Sequence, residues 1–169
     1  MIVRPATIDD APALCGYAAR LFSEDLPGIF RRSVPTLDEE VAFIQQRIGP
    51  ANSTLLVALE DGVPVGLADL LGSTLEEERH AGTFGISVDR DWRGRGVGTA
   101  LIEALVEWAA ANGITRIQAF AWETNPRALE LYERLGFVRE GVCRRAVVRD
   151  GVPVDVVMIA RLLDEETEK

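Results

Sequence analysis

The stretch VDRDWRGRGVGT, residues 88–99, decides the fold because it reads as a strand end, a basic glycine-rich turn and the start of a helix. Before it, residues 84–88 predict a buried strand, and after it apolar residues recur at helical spacing as far as Ala111. Glycines at alternate positions let the backbone approach a ligand closely. The helix N-terminus behind them adds unpaired N–H donors and a positive dipole end. This turn therefore predicts a phosphate or pyrophosphate site.

The spacing of the turn excludes two common phosphate loops. No Gly-Lys-Ser/Thr follows it, as a Walker loop requires, and it lacks the G-x-G-x-x-G of a dinucleotide fold. What stands there is Arg93-x-x-Gly96-x-Gly98, which resembles the pyrophosphate loop of the GCN5-related N-acetyltransferase (GNAT) superfamily. A strand-to-helix turn without a ligand can also contain such glycines, so a second motif matters.

The second motif is the stretch NPRALELYERLGF, residues 125–137. Asn125 fits a helix N-cap and Pro126 the first helical position, while Gly136 fits the left-handed residue that ends a helix. The stretch resembles the second GNAT motif, N-x-x-A-x-x-L-Y-x-x-x-G-F. Both motifs stand in the family's order and at its usual separation, and together they cover residues 84–141.

The order of predicted elements indicates a mixed sheet. Capping boxes at Thr7 and Thr36 open helices that we expect to run to Phe22 and Ile48. Strands are predicted over 2–4, 54–59, 63–70, 84–88, 115–122, 138–148 and 152–162, with further helices over 99–111 and 126–135. This order predicts an α/β fold, with one mixed central sheet and helices on both faces. The resemblance implies the GNAT fold, in which strands 4 and 5 splay around the arm of acetyl-CoA.

Composition narrows the class of protein. A chain of 169 residues that is 47% hydrophobic fits one domain, which we place over residues 1–163, before an acidic tail over 164–169. No apolar run is long enough to span a membrane, and the chain does not begin with a signal peptide, so we expect a cytoplasmic protein. Cys15 and Cys143 are then expected to be reduced structural thiols.

The formal charge of −9 indicates which kinds of partner the protein can bind. Nonspecific nucleic-acid binding needs Lys and Arg to neutralise phosphates, so an acidic chain argues against it. The charge fits an amine or other cation drawn to an acidic cleft, although it could serve solvation alone. We expect a small-molecule amine as partner, with neither nucleic acid nor membrane. Related proteins are often dimers, and on that analogy alone we expect a homodimer.

The resemblance implies acetyl-CoA as cosubstrate, without a metal, and transfer of its acetyl group to an amine. Such a transfer needs a neutral amine, a polarised carbonyl and a proton for the departing thiolate. The resemblance points to the backbone N–H groups of Ile86 and Val88, with Val88 bonding the acetyl carbonyl. It also makes Tyr132 the general acid, because a phenol can protonate a thiolate. Core packing, or binding of pantetheine without proton donation, would explain the same residues.

The same two motifs imply a cradle for the cofactor. Asn125 would bond the pantetheine or cap its own helix, and Arg127 would reach an adenosine phosphate or remain solvated. The cofactor-binding residues that the resemblance implies are Ile86, Val88, Arg93, Gly94, Arg95, Gly96, Val97, Gly98, Thr99, Asn125 and Tyr132.

The general base is less defined by the sequence. The acidic candidates are Glu24, Asp25, Asp69 and Glu123, and family members also use an ordered water chain. His80, the only histidine, has a pKa range suited to proton transfer. Its position next to a polar run favours a surface role instead.

The acceptor site depends on the loops over 23–35 and 73–79 and on the last hairpin. Arg31 and Arg32 could bind a substrate carboxylate bidentately, and with Glu24 and His80 they are our candidate substrate-binding residues. Residues 80–88 and 144–151 look like those of GNAT members that acetylate free L-amino acids. A polyamine, an antibiotic amine or a protein N-terminus, as in ribosomal-type acetyltransferases, remains open. A non-catalytic acyl-CoA sensor is the alternative from another class.

Overall fold

Seven strands and four α-helices make up the described part of the chain, residues 1–30 and 32–164, in a computed structural model. The strands are β1 (Ile2–Pro5), β2 (Thr54–Glu60), β3 (Val63–Gly72), β4 (Ala81–Val88), β5 (Arg116–Trp122), β6 (Val138–Arg149) and β7 (Val152–Leu162). The helices are α1 (Ala11–Phe22), α2 (Leu37–Ile48), α3 (Val97–Ala111) and α4 (Pro126–Arg134). The predicted order of elements is confirmed.

All seven strands belong to one sheet, in the order β1-β2-β3-β4-β5-β7-β6. Neighbours are antiparallel except β4 and β5, which run parallel. The parallel pair is joined only where residues 81–83 face residues 116–118, at the start of both strands. Beyond that point the two strands separate, so the predicted splay is confirmed and the C-terminal half of β4 has an open edge.

Each face of the sheet is covered by helices over its own apolar cluster. On one face α3 buries Leu101 and Leu105 completely. On the other, α1 and α2 bury Leu14 and Ile44 against Leu55 of β2. Full burial of such a side chain contributes about 1.5–3 kcal/mol, so both layers hold the sheet in place. The open edge of β4 lies between the layers.

The first helix begins differently from the prediction. The capping box at Thr7 opens a short 3-10 turn, Ile8–Asp10, and α1 starts only at Ala11. Asp10 accepts a hydrogen bond from the Thr7 N–H at 2.8 Å, but it also accepts two from the Arg4 guanidinium at 2.7 and 2.8 Å. The shared carboxylate ties the end of β1 to this turn, which explains the tighter first turn.

Within residues 1–30 and 32–164, no helix combines the length and apolar character needed to cross a membrane.

Candidate active site

The open edge of β4 presents unpaired backbone donors. At its C-terminal end, the Asp89 N–H donates to Val65 O on β3 at 2.9 Å. Successive N–H groups of a strand point to opposite sides, so those of Val88 and Ile86 point away from β3, toward the gap. No strand pairs with β4 there. Two donors are thus held ready for an external acceptor.

The glycine loop lies directly beyond this edge. Gly94 and Gly96 have φ of 76° and 83°, a left-handed conformation that side chains rarely adopt, so glycine is required. Gly96 is the N-cap of α3, and the first intrahelical donor is the Ala100 N–H, which bonds Gly96 O at 3.0 Å. The N–H groups of residues 97–99 therefore have no helical partner, which makes this turn an anion site.

Gly98 brings α3 and α4 together. A Cβ placed on it would stand 3.1 Å from a methyl carbon of Leu131, closer than an ordinary contact. A larger residue would therefore require the Leu131 side chain to shift. The two sequence motifs meet at this contact.

The three arginines around the loop have different partners. Arg93 donates two hydrogen bonds to the Glu24 carboxylate, both at 2.8 Å, and one to Val88 O at 3.0 Å. Arg95 lies over the Trp92 ring, 5.0 Å from its centroid. Arg127, on α4, approaches Gly94 closely enough to stand 3.4 Å from a Cβ placed there.

This arrangement changes the expectation for Arg93 and Glu24. The Arg93 guanidinium is engaged by a protein carboxylate, so in this structure it is not aimed at a pyrophosphate. Glu24 is correspondingly bound rather than available to a substrate, with its side chain only 6% exposed. Burial alone would raise the pKa of Glu24, but the hydrogen bonds and charges of Arg93 and Arg90 outweigh it and hold the pKa below its usual value. A carboxylate with a lowered pKa is a poor base.

Tyr132 lies on α4 with its ring fixed by two phenylalanines. Its centroid is 5.5 Å from that of Phe84, edge to face, and 5.9 Å from that of Phe137. Burial raises the pKa of Tyr132 to about 12, so the phenol keeps its proton at neutral pH. Its side chain lines the central cavity, and no described residue forms a hydrogen bond with its hydroxyl group.

Asn125 caps α4 and also fastens the loop between α1 and α2. Its Oδ1 accepts from the Ala128 N–H at 3.3 Å, and its Nδ2 donates to Pro27 O at 3.2 Å. The loop is held at a second point by Arg149, whose guanidinium bonds the Asp25 carboxylate and Ile29 O. The helix-cap interpretation of Asn125 is thus what the structure shows for its side chain.

One cavity of about 1230 Å³ joins these parts. It extends from the glycine loop and the open edge of β4 to the inner faces of α1 and α2. The expected site residues that line it are Ile86, Val88, Arg93, Gly94, Gly96, Gly98, Thr99, Asn125, Tyr132 and Arg32, with Arg127 and Asp69. Arg95 and Val97 lie outside the lining, although Val97 belongs to the first turn of α3. Arg31 lies outside the described residues.

Of the three remaining candidates, His80 and Glu123 lie outside the cavity, and Asp69 lines it but is already bound. His80 is exposed and precedes β4, eight residues from Val88, so a strand rise of about 3.3 Å per residue puts it at the far end of the strand. His80 does not line the cavity, which agrees with the surface role that its position next to a polar run favours. Glu123 is also exposed and outside the lining. Asp69 does line the cavity, but its carboxylate accepts a hydrogen bond from Arg47 at 2.8 Å.

Sequence reasoning missed the part of the cavity that α1 and α2 line. Glu40, Phe43 and Arg47 stand three and four residues apart on α2, so they share one face of the helix, and all three line the cavity. Tyr17 of α1 faces them, and its hydroxyl donates to Ser87 Oγ at 2.9 Å. Helical spacing alone could have placed the first three on one face. It could not have shown that the face covers a cavity.

A comparison of the sequence with models of protein families identifies the family of this chain. The model of the Acetyltransferase (GNAT) family matches residues 18–137, which contain the glycine loop, β4, β5 and α4. The chain belongs to the GNAT family. The resemblance drawn from the two motifs is confirmed, and the protein is an N-acetyltransferase.

Relatives and solved structures agree with the family. The L-amino acid N-acetyltransferase AaaT of Escherichia coli (strain K12) is 32% identical over 111 residues, which cover 63% of this chain and 67% of the relative. Other curated relatives are matched over 27% to 76% of their own length.

Two solved structures match the fold over nearly the whole chain. The acetyltransferase of GNAT family from Streptococcus pneumoniae has a TM-score of 0.88 at 27% identity, over 96% of this chain and 98% of that one. YncA from Salmonella typhimurium, solved with its cofactor acetyl-CoA, has a TM-score of 0.85 at 22% identity, over 98% of this chain and 95% of that one. The GNAT fold is thus one that holds acetyl-CoA.

Proposed function

We propose that this GNAT enzyme moves the acetyl group from acetyl-CoA to the primary amine of a small molecule by direct attack in a ternary complex. The observation that supports this proposal most directly is the single cavity of about 1230 Å³, which extends from the glycine loop to α2. Pockets for one small ligand usually occupy about 300–1,000 Å³. The larger volume supports the simultaneous presence of the cofactor arm and an acceptor.

The described residues fit a CoA thioester at the open edge of β4. The N–H groups of residues 97–99 and the nearby Arg127 offer donors and charge to a pyrophosphate. Ile86 would bond the pantetheine arm through its N–H, and Asn125 would lie beside it. Acetyl-CoA supplies the acetyl group and leaves as the free thiol.

Val88 and Tyr132 are assigned the chemical steps. The Val88 N–H would donate to the acetyl carbonyl oxygen, where negative charge grows as the amine attacks. The Tyr132 hydroxyl would give its proton to the departing sulfur, and the phenolate would then take up the proton that the attacking amine loses. The unengaged hydroxyl supports this assignment, and the raised pKa of Tyr132 keeps the phenol protonated before the reaction.

A free L-amino acid is the acceptor we favour within this class. Arg32 is exposed on the loop after α1, lines the cavity and has no hydrogen bond or ion pair with any described residue. A free guanidinium suits a carboxylate, which it can bind bidentately. The relative AaaT, an L-amino acid N-acetyltransferase, points the same way.

The test is release of free CoA thiol from acetyl-CoA in the presence of an amine panel. The panel contains L-amino acids, polyamines, aminoglycosides and short peptides. We expect turnover with L-amino acids that is reduced by Arg32→Ala but not by the matched Arg79→Ala, because Arg79 is exposed and lies outside the cavity lining. Turnover with peptides alone would indicate a ribosomal-type enzyme, and acetyl-CoA binding without thiol release would indicate a sensor.

The homodimer and the single domain over residues 1–163 are proposals as well. The dimer rests on analogy with related proteins. Light scattering after size exclusion tests it, since a dimer has twice the 18.5 kDa mass of the chain. A monomer at micromolar concentration would contradict it.

A further inference from the structure

Glu40 is a buried carboxylate that takes no part in the proposed transfer steps. It lies in the first turn of α2, and the whole residue, backbone included, is only 6% exposed, less than any other charged residue among residues 1–30 and 32–164. Burying a carboxylate is costly unless a partner compensates for the lost water. A side chain of this kind therefore needs an explanation.

No described group supplies that partner. The Glu40 carboxylate has no hydrogen bond and no ion pair within the described part of the chain. In that same part, every side-chain nitrogen or oxygen that is sealed from solvent does have a hydrogen-bond partner. The Glu40 oxygens are therefore not sealed. They are reached from the cavity that the residue lines.

The nearest cation on the same helix face is held elsewhere. Arg47 donates to Asp69 at 2.8 Å and lies over the Phe43 ring, 3.7 Å from its centroid. Burial raises the pKa of Glu40, and the more distant Arg47 charge opposes this only in part. Glu40 thus lacks a fixed counter-ion at the acceptor end of the cavity.

We propose that Glu40 binds an ammonium group of the acceptor, and this inference rests on the proposed small-molecule amine acceptor. Amines arrive at the site protonated at neutral pH, since their usual pKa lies between about 8 and 10. The ammonium completes the missing ion pair at the cavity wall that Glu40 lines. The ammonium is either the amine that reacts or a second amine of the acceptor. Glu40 is accordingly a residue that determines specificity.

The test is direct binding of amines to the protein saturated with coenzyme A, measured by isothermal titration calorimetry. The probes are butylamine and L-leucine, with one ammonium group, and 1,4-diaminobutane, with two. Glu40→Gln keeps the shape of the side chain and removes its charge. Asp38→Asn is the matched control, because Asp38 lies in the same first turn of α2, is exposed and does not line the cavity.

Glu40→Gln is expected to weaken at least one probe by about 10-fold or more, the usual effect of losing a charged hydrogen bond. If Glu40→Gln weakens the binding of every probe that the parent binds, Glu40 contacts the amine that reacts. If it weakens the binding of 1,4-diaminobutane alone, Glu40 contacts a second amine. Asp38→Asn is expected to change each dissociation constant by less than about twofold.

Three results would overturn the inference: no probe binds the parent protein, Glu40→Gln binds every probe as tightly as the parent, or Asp38→Asn weakens binding equally. The proposed function is judged separately by thiol release. Amine binding through Glu40 without thiol release would refute the function and leave the inference standing. Thiol release by the parent, together with the second of these results, would do the reverse.

Discussion

At the scale of single residues, hydrogen bonding distinguishes the proposed proton donor, Tyr132, from the second tyrosine of the cavity, Tyr17. Tyr132 and Tyr17 both line the cavity, yet only the Tyr17 hydroxyl is engaged by a neighbour, Ser87. Burial raises the pKa of both phenols, so each is a neutral donor at physiological pH. The free hydroxyl distinguishes the candidate acid.

Replacing Tyr132 with Phe should therefore lower kcat by about 10²-fold or more, the usual range for loss of general acid catalysis. The aromatic packing with Phe84 is kept, so the dissociation constant of acetyl-CoA should stay within about twofold. Steady-state kinetics and calorimetry measure the two quantities. Tyr17→Phe is the matched control and should lower kcat less than about fivefold. Parent-like turnover by Tyr132→Phe would remove Tyr132 as the acid.

Asp10 gives a pH dependence with a defined sign. Hydrogen bonds from Arg4 and Thr7 lower the pKa of Asp10 to about 2, against the opposing effect of burial. A lowered pKa in the folded state means that the stabilisation is present above the ordinary Asp pKa, near 4, and is lost as pH falls toward 2.

Asp10→Asn should thus lower the free energy of unfolding by about 1 kcal/mol at pH 7, a value typical of a partly exposed ion pair. The difference from the parent should shrink as pH falls below 4. Urea denaturation between pH 3 and 7 measures it, with Asp9→Asn as the exposed neighbouring control. A difference that is independent of pH would contradict the assignment.

At the scale of elements, the loop between α1 and α2 is fastened to the cofactor side of the molecule. Glu24 bonds Arg93 of the glycine loop, Pro27 accepts from Asn125 of α4, and Arg149 of β6 bonds Ile29 O. These contacts join the loop between α1 and α2 to the glycine loop, to α4 and to β6.

Arg93→Ala should lower the free energy of unfolding by about 2–3 kcal/mol, because it leaves the buried Glu24 carboxylate with only the exposed Arg90 as partner. Arg90→Ala, the matched control, should cost less than about 1 kcal/mol, since the Arg90 side chain is 70% exposed. Urea denaturation at pH 7 measures both. Equal effects of the two variants would contradict the role of the Arg93–Glu24 pair.

The local signals in the sequence predicted the elements well and the contacts between them poorly. The glycine loop and the N-cap of α4 depend on neighbours within a few residues, so the local sequence pattern is sufficient to predict both. The Arg93–Glu24 pair joins residues 69 apart, and no local pattern indicates it. Glu40 resembles an ordinary helix-surface residue in the sequence, although in the structure it is buried and lines the cavity. His80 is close in sequence to Val88, but the length of β4 separates the two residues.

At the scale of the whole molecule, one cavity between two helical layers favours direct transfer over a covalent enzyme intermediate. Both cysteines, Cys15 and Cys143, are free thiols, but neither lines the cavity. Burial and the Glu40 charge raise the pKa of Cys15, which disfavours the nucleophilic thiolate. The protein's own mass should therefore stay unchanged with acetyl-CoA alone.

Intact-protein mass spectrometry after incubation with acetyl-CoA and no amine measures this. A mass increase of one acetyl group that disappears on adding an amine would contradict direct transfer. Cys143→Ser serves as the control for incidental acetylation of the exposed thiol. Initial velocities should give intersecting lines, as a ternary complex requires.

The most direct test of the central claim follows the acetyl group itself. Protein, acetyl-CoA labelled with ¹³C in the acetyl group, and a mixture of small amines and peptides are incubated together, and the products are identified by mass spectrometry. The account predicts label on the nitrogen of a small amine, one free CoA thiol for each label, and loss of both with Tyr132→Phe. Label confined to peptide N-termini, or no label although acetyl-CoA binds, would contradict it.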